Sequence, residues 1–221
     1  MLLRRAKWGI RARDGTSLGY PSLSHYSRSM FNDFSSPIRY FLTRRSTKPR
    51  DLVAPGPDSE QLRQILTAAM RTPDHGKLAP WRLVVVHEDQ REKLAELLSA
   101  AYRAEKPDAG RLEIEAMVQF AHQAPAMVVV LSSPVQASKI PLWEQELSAG
   151  AVCMNLLHAA TALGFGGGWL TGWPSYNDQV RDAFGEAHER IAGFLFLGTP
   201  SRPLDERPRP DYFEHVRDWD R

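Results

Sequence analysis

Leu62, Ile65, Leu66, Ala69 and Met70 recur at i, i+3, i+4, i+7 and i+8, the spacing of one face of an α-helix. Asp58 precedes that stripe and Gln61 stands at the third helical position, the arrangement of a capping box. Pro73 ends the pattern, because the residue before a proline is pushed out of the helical region. The same period predicts helices over "REKLAELLSAAYRAE", with Leu94, Leu97, Leu98 and Ala101 inward, and over "RLEIEAMVQFAHQ". "PIRYFLTRRS" predicts a short helix with Ile38, Phe41 and Leu42 on one face. Three apolar runs, "WRLVVV", "AMVVVLSS" and "IAGFLFLG", predict buried strands. "WEQELSAGAVCMNLLHAATALG" predicts a long helix. Its Ala149, Gly150, Ala151, Ala159 and Ala160 would let another helix approach closely, as in a tightly packed or dimeric protein. "SYNDQVRDAFG" predicts a capped helix closed by Gly185. Prolines at 200, 203, 208 and 210 predict an extended arm, with Tyr212, Phe213 and Trp219 as candidate anchors. Helices interleaved with few short strands give α+β or α/β, helices covering a sheet.

Composition changes that picture little. The chain has 221 residues, 43% hydrophobic and 24% charged, as ordinary globular proteins do. A net charge of +2 is too small to imply a nucleic-acid partner. No apolar run reaches the roughly 18–20 residues of a membrane helix. One cysteine, Cys153, excludes an intrachain disulfide and fits a reducing compartment, so a cytoplasmic location is expected. Residues 1–30 are basic and serine-rich, with Asp14 the single acid. Such composition suits either a transit peptide or, as the plainer reading, a disordered extension with Met30 as the true start. The expected divisions are an N-terminal extension over 1–37, a domain over 38–200 and an arm over 201–221.

Candidate chemistry lies in three segments. No paired-cysteine or H-x-x-x-H spacing, G-x-S-x-G elbow, P-loop or Rossmann fingerprint occurs. "RRSTK", residues 44–48, packs two guanidiniums, two hydroxyls and an ammonium into five residues, donors that match phosphate oxygens; a solvated basic turn is the alternative. "RTPDHGKLAPW" crowds Arg71, His75 and Lys77 into a helix-to-strand turn, where Arg71 could also simply complement a helix C-terminus. "GGGWLTG", residues 166–172, exposes backbone amides to close approach, or is a tight turn between helix and strand.

These three segments, with the long helix and "GFLFLGTP", occur in the order found in the FMN-dependent nitroreductases, and the chain resembles the compact bacterial NAD(P)H nitroreductase branch over about residues 38–200. The resemblance implies an α+β nitroreductase-like fold, a central mixed β-sheet flanked by helices, in a homodimer binding FMN at the subunit interface. It implies that Arg44, Arg45 and Ser46 hold the phosphate and ribityl chain, and that Lys48 sits by flavin N1 and O2. Arg71 and His75 match positions that reach the flavin from the partner subunit. Trp169, Leu170 and Thr171 match the strip flanking the ring near N5 and O4. Arg202 is a candidate extra phosphate ligand. The implied reaction takes hydride from NADH or NADPH and passes it, by a ping-pong mechanism, to a small electron-poor acceptor such as a nitroaromatic or quinone. It needs no protein acid, base, nucleophile or metal. A different reaction on the same scaffold (dehalogenation, ene reduction, flavin breakdown) or flavin binding without turnover is the alternative. The chain departs from the family pattern at Lys77, where many members have Asn, and at Ala79, where many have Gln.

Overall fold

A computed structural model describes residues 31–219; the expectations for residues 1–30 lie outside them. The described elements run α1 (Pro37–Thr43), β1 (Leu52–Val53), α2 (Ser59–Ala69), β2 (Trp81–Val86), α3 (Arg91–Glu105), α4 (Arg111–His122), β3 (Ala126–Ser132), α5 (Leu142–Ala162), β4 (Gly166–Leu170), α6 (Trp173–Tyr176), α7 (Asp178–Phe184), β5 (Arg190–Pro200) and α8 (Tyr212–His215). The sheet has the order β1-β5-β3-β2, and β4 also pairs with β5. Every described pairing is antiparallel. Within these residues the sheet is therefore not of the mixed type that the resemblance implies. The helix-and-sheet architecture is the α+β one.

The capping box is present as the spacing predicts. Asp58 Oδ1 accepts from Gln61 N at 2.8 Å, and Gln61 Oε1 accepts from Asp58 N at 3.0 Å. β3 and β5 form the centre, and their side chains divide into two cores. On one face Met127, Val129, Leu131, Phe194 and Phe196 pack with Leu94, Leu98 and Phe120 of the α3–α4 layer. On the other, Val128, Val130, Leu195 and Leu197 pack with Ile65 and Ala69 of α2 and with Val152, Cys153 and Leu156 of α5. Alternation along each strand thus feeds a helical layer on both sides of the sheet.

Two elements depart from their sequence reading. The segment read as a glycine turn is strand β4. Its glycines leave room for close neighbours: a Cβ on Gly166 would lie 2.7 Å from Thr47 Oγ1, and one on Gly168 would lie 2.6 Å from Thr47 O. α1 forms where expected, capped by Ser36, but turns the other way. Tyr40 is its buried residue, while Ile38 and Phe41 stand 63% and 61% exposed and Leu42 is exposed too. Before α1, Asp33 is packed as well: it is buried and accepts from Arg39 Nε at 2.7 Å, and its amide donates to Thr43 Oγ1. Arg39 and Ser35 hold the Asp33 carboxyl down at about 2, the amide of Ser35 first among them.

Candidate active site

α1 delivers the basic segment. It ends at Thr43, and the chain then runs extended past β4, where Thr47 N donates to Gly167 O at 2.9 Å. This hydrogen bond joins two of the three predicted segments within one subunit. Thr47 is buried, and its Oγ1 has no partner. Arg44, half-buried, donates from Nη1 to Ser46 Oγ at 3.1 Å. Arg45 donates from Nε to Asp205 O at 2.7 Å. Lys48 is exposed.

The arm brings more charge to the same place. Arg209 Nη2 lies 3.4 Å from Arg44 O. Burial first, and then the charges of Arg209, Arg45 and Arg207, hold the Arg44 guanidinium below the usual arginine value. Four guanidiniums therefore converge, and the carboxylate ion-paired among them is that of Glu206, 3.0 Å from Arg209. Mutually repelling cations with a seryl hydroxyl beside them are the donor set that a phosphate monoester satisfies. The residues present fit the phosphate of a flavin mononucleotide. Sequence reading missed Arg207 and Arg209. The signal was the dense "ERPRP" run, legible as charge but not as a partner of "RRS" some 160 residues away. Arg202 is placed otherwise: it pairs with Asp51 at 2.6 Å and clips the arm to the chain after Lys48.

From the arginine cluster, β4 leads along the sheet for about 13 Å to Trp169 and Leu170. Trp169 donates from Nε1 to Ala192 O at 3.0 Å and lies across Gly193. Leu170 packs into the α3–α4 core, and Thr171 is exposed. Basic segment and strip thus form one surface of the chain. Around the start of β5, a cavity of about 680 Å³ is lined by Leu142, Glu146, Ser175, Tyr176 and Arg190, among others.

The third segment goes elsewhere. The turn after α2 is fastened to α5: Ser148 Oγ donates to Pro73 O at 2.7 Å, Asn155 Nδ2 donates to Thr72 Oγ1 at 2.8 Å, and His75 Nδ1 meets Glu144 Oε2 at 2.6 Å. At 100° per residue, positions 144, 148 and 155 fall within about 40° of one another. The strip touches α5 at Gly150, which faces Trp169, and at Leu157, which faces Gly167. Those two positions lie about 200° around the helix from the turn's contacts. Arg71 and His75 are exposed, with α5 between them and the strip.

Between these two faces α5 presents Trp143, 66% exposed, and Leu147, 53% exposed, to solvent. Farther along, His158 Nδ1 is 2.7 Å from Tyr40 Oη, and its ring lies edge-on to Phe41. The outward side of α5 and the apolar side of α1 are thus neighbours. Among the described residues no helix is long and apolar enough to cross a membrane, and no group of three or more His, Cys, Asp or Glu is placed to hold a metal.

Comparison with known proteins agrees with this geometry. The model of the nitroreductase family matches residues 42–199. The chain is 37% identical over 164 residues to "Putative NAD(P)H nitroreductase YdjA" of Escherichia coli K12, covering 74% of this chain and 87% of that one. A nitroreductase-like family protein from Bacillus cereus superimposes with a TM-score of 0.70 at 21% identity, covering 86% of this chain and 98% of the other. The NADPH:FMN oxidoreductase of Vibrio harveyi, complexed with NAD+, superimposes with a TM-score of 0.64 at 21% identity, covering 83% and 77%. A basic segment laid against a glycine-rich strand, a long central helix and a family match across most of the chain lead to one conclusion: the chain belongs to the nitroreductase family.

Proposed function

We propose that the chain is a homodimeric NAD(P)H oxidoreductase that holds FMN between its subunits. Bound FMN would supply hydride acceptance from NADH or NADPH and hydride donation to an electron-poor acceptor, a nitroaromatic or quinone, in ping-pong order. Arg44, Arg45 and Ser46 hold the phosphate, with Arg207 and Arg209 completing the cation cluster. Lys48 places an ammonium where negative charge grows at N1 and O2, and so favours the reduced state electrostatically. Trp169, Leu170 and Thr171 flank the ring and exclude water from one side of it. No side chain has to take or give a proton for hydride transfer, so the protein's task is position and field.

The observation that carries this reading is the meeting of Arg44, Arg45 and Arg209 beside β4, where Arg209 reaches Arg44 O, Arg45 reaches Asp205 O of the same arm, and the ion-paired carboxylate among them is that of Glu206. The dimer is supported by the outward apolar side of α5 and α1, because exposed patches of that kind mark interfaces. It is supported equally by α5 itself, which separates Arg71 and His75 from their own subunit's strip. A partner copy seated on that side brings its turn to the open edge of the strip.

The test is direct. Purified protein is expected to carry a yellow chromophore that co-migrates with a dimer and that NADH or NADPH bleaches without oxygen. A dimer that binds FMN tightly but is bleached by neither nicotinamide would support the flavin-binding alternative. Reoxidation by p-nitrobenzoate and by a benzoquinone, measured separately, identifies the acceptor class.

A further inference from the structure

The turn between α2 and β2 is strained where it meets solvent. Gly76, Lys77 and Ala79 have φ of 77°, 55° and 48°. A side chain disfavours the left-handed region, and such strain persists only where the surroundings enforce it. Here they do. Asp74 accepts from Leu78 N at 3.1 Å and from Ala79 N at 2.8 Å. Trp81 N donates to Ala79 O at 2.7 Å, and a Cβ on Gly76 would lie 3.3 Å from Ile140. With the bonds from Ser148 and Asn155, the backbone is fixed on both sides of Lys77.

None of these contacts uses the Lys77 side chain, which is exposed and makes no hydrogen bond or ion pair among the described residues. The Arg71 side chain is exposed and, among the described residues, equally without an ion pair, and exposed Lys139 belongs to the loop that Ile140 packs against this turn. Glu144 answers His75 alone. A rigid edge on which Arg71, Lys77 and Lys139 outnumber the carboxylates of Asp74 and Glu144 suits an anion. On the proposed function, from which this step starts, the phosphate of FMN is already held at the arginine end of the strip. The anion that remains belongs to the hydride donor. Its nicotinamide has to lie over the ring, so its ribose and phosphates leave the slot past the edge that the turn forms.

The geometry points to Lys77 as a specificity-determining residue that binds the phosphates of the nicotinamide donor. The diphosphate common to NADH and NADPH and the 2′-phosphate of NADPH share that chemistry, and kinetics separate them. The experiment is anaerobic stopped-flow reduction of the holoenzyme by NADH, NADPH and 1-benzyl-1,4-dihydronicotinamide, which carries no phosphate. Lys77→Asn suits the left-handed backbone and removes the charge; Lys77→Arg restores it.

Lys77→Asn is expected to raise the apparent Kd about ten-fold for phosphate-bearing donors, as loss of one charge-assisted contact does. Reduction by the benzyl compound should stay within about two-fold, and Lys77→Arg should recover most of the loss. Equal losses for NADH and NADPH assign the diphosphate; loss for NADPH alone assigns the 2′-phosphate. Unchanged Kd for both nucleotides overturns the assignment, and so does an equal fall with all three donors, which would put Lys77 on the flavin itself. Wild-type protein that no donor reduces would overturn the proposed function together with this inference, whereas the two preceding outcomes leave the function standing.

Discussion

Two cation-rich segments of this chain are held in opposite ways. Arg44 and Arg45 are folded into the chain between β4 and the returning arm, where Thr47 N donates to Gly167 O and the Arg45 guanidinium donates to Asp205 O. Arg71 and His75 ride on a turn fastened to the far side of α5 and face away from that subunit's strip. The difference teaches which surface each serves. On the proposed function, charge embedded beside a strand would build an anion site within one subunit, and charge held outward on a rigid turn would complete a site on another. The strain at Lys77 and Ala79 belongs to the second kind, for a presented edge has to be stiff.

The largest effect should come from forcing the basic segment off its strand. Gly168→Val places side-chain carbon against Thr47 O and Pro49. Overpacking of this kind costs about 3 kcal/mol, so urea unfolding should shift by that amount and FMN should be lost. An unchanged urea midpoint would break the claim that segment and strip are one surface. Next in size, Arg44→Ala should weaken FMN binding to the apoprotein about 30-fold, the worth of a charge-assisted phosphate contact. Arg202→Ala, whose guanidinium is tied to Asp51, should weaken it far less. Fluorescence titration of FMN ranks the two.

On the other side of α5, Ser148→Ala removes the hydroxyl that holds Pro73 O. Stability should fall by about 1 kcal/mol, with reduction by the nicotinamide slowed and FMN held less tightly, since the loosened turn carries Arg71 and His75. Ala79→Gly relieves a left-handed alanine and should raise stability by about 0.5–1 kcal/mol. The smallest effect is in acid. The carboxyl of Asp33 is held at about 2 in the folded chain, below the ordinary aspartate value near 3.9. Its contribution is complete above about pH 4 and is lost as pH falls toward 2. Asp33→Asn should flatten the pH dependence of unfolding in that window and leave it unchanged at pH 7.

Much of this was legible in the sequence. Helical periodicity placed α2 and its capping box, and the three apolar runs became β2, β3 and β5. β1 was invisible because two residues carry no period. β4 was hidden because its glycines answer to their neighbours rather than to strand propensity: the nearness of Thr47, Pro49 and Leu157 decides them, and that is a tertiary fact. The outward turn of α1 has a similar cause. Ile38, Phe41 and Leu42 share a face as their spacing says, but spacing does not say whether a face meets its own core or a partner. Of the site, "RRSTK" was read for its donors, while Arg207 and Arg209 waited on the path of the arm. The separation of turn and strip by α5 needed the helix contacts themselves.

The central claim is that each flavin site is built from both subunits, and complementation between two damaged chains tests it most directly. One chain carries Arg44→Ala with Arg45→Ala; the other carries Arg71→Ala with His75→Ala. Each homodimer should be depleted of FMN. The heterodimer, isolated with two different affinity tags, has one site that contains every lesion and one that contains none. The account predicts one tightly bound FMN per heterodimer, reducible by NADH or NADPH. A heterodimer as empty as either parent would contradict it, because a site made wholly within one subunit is damaged in both chains.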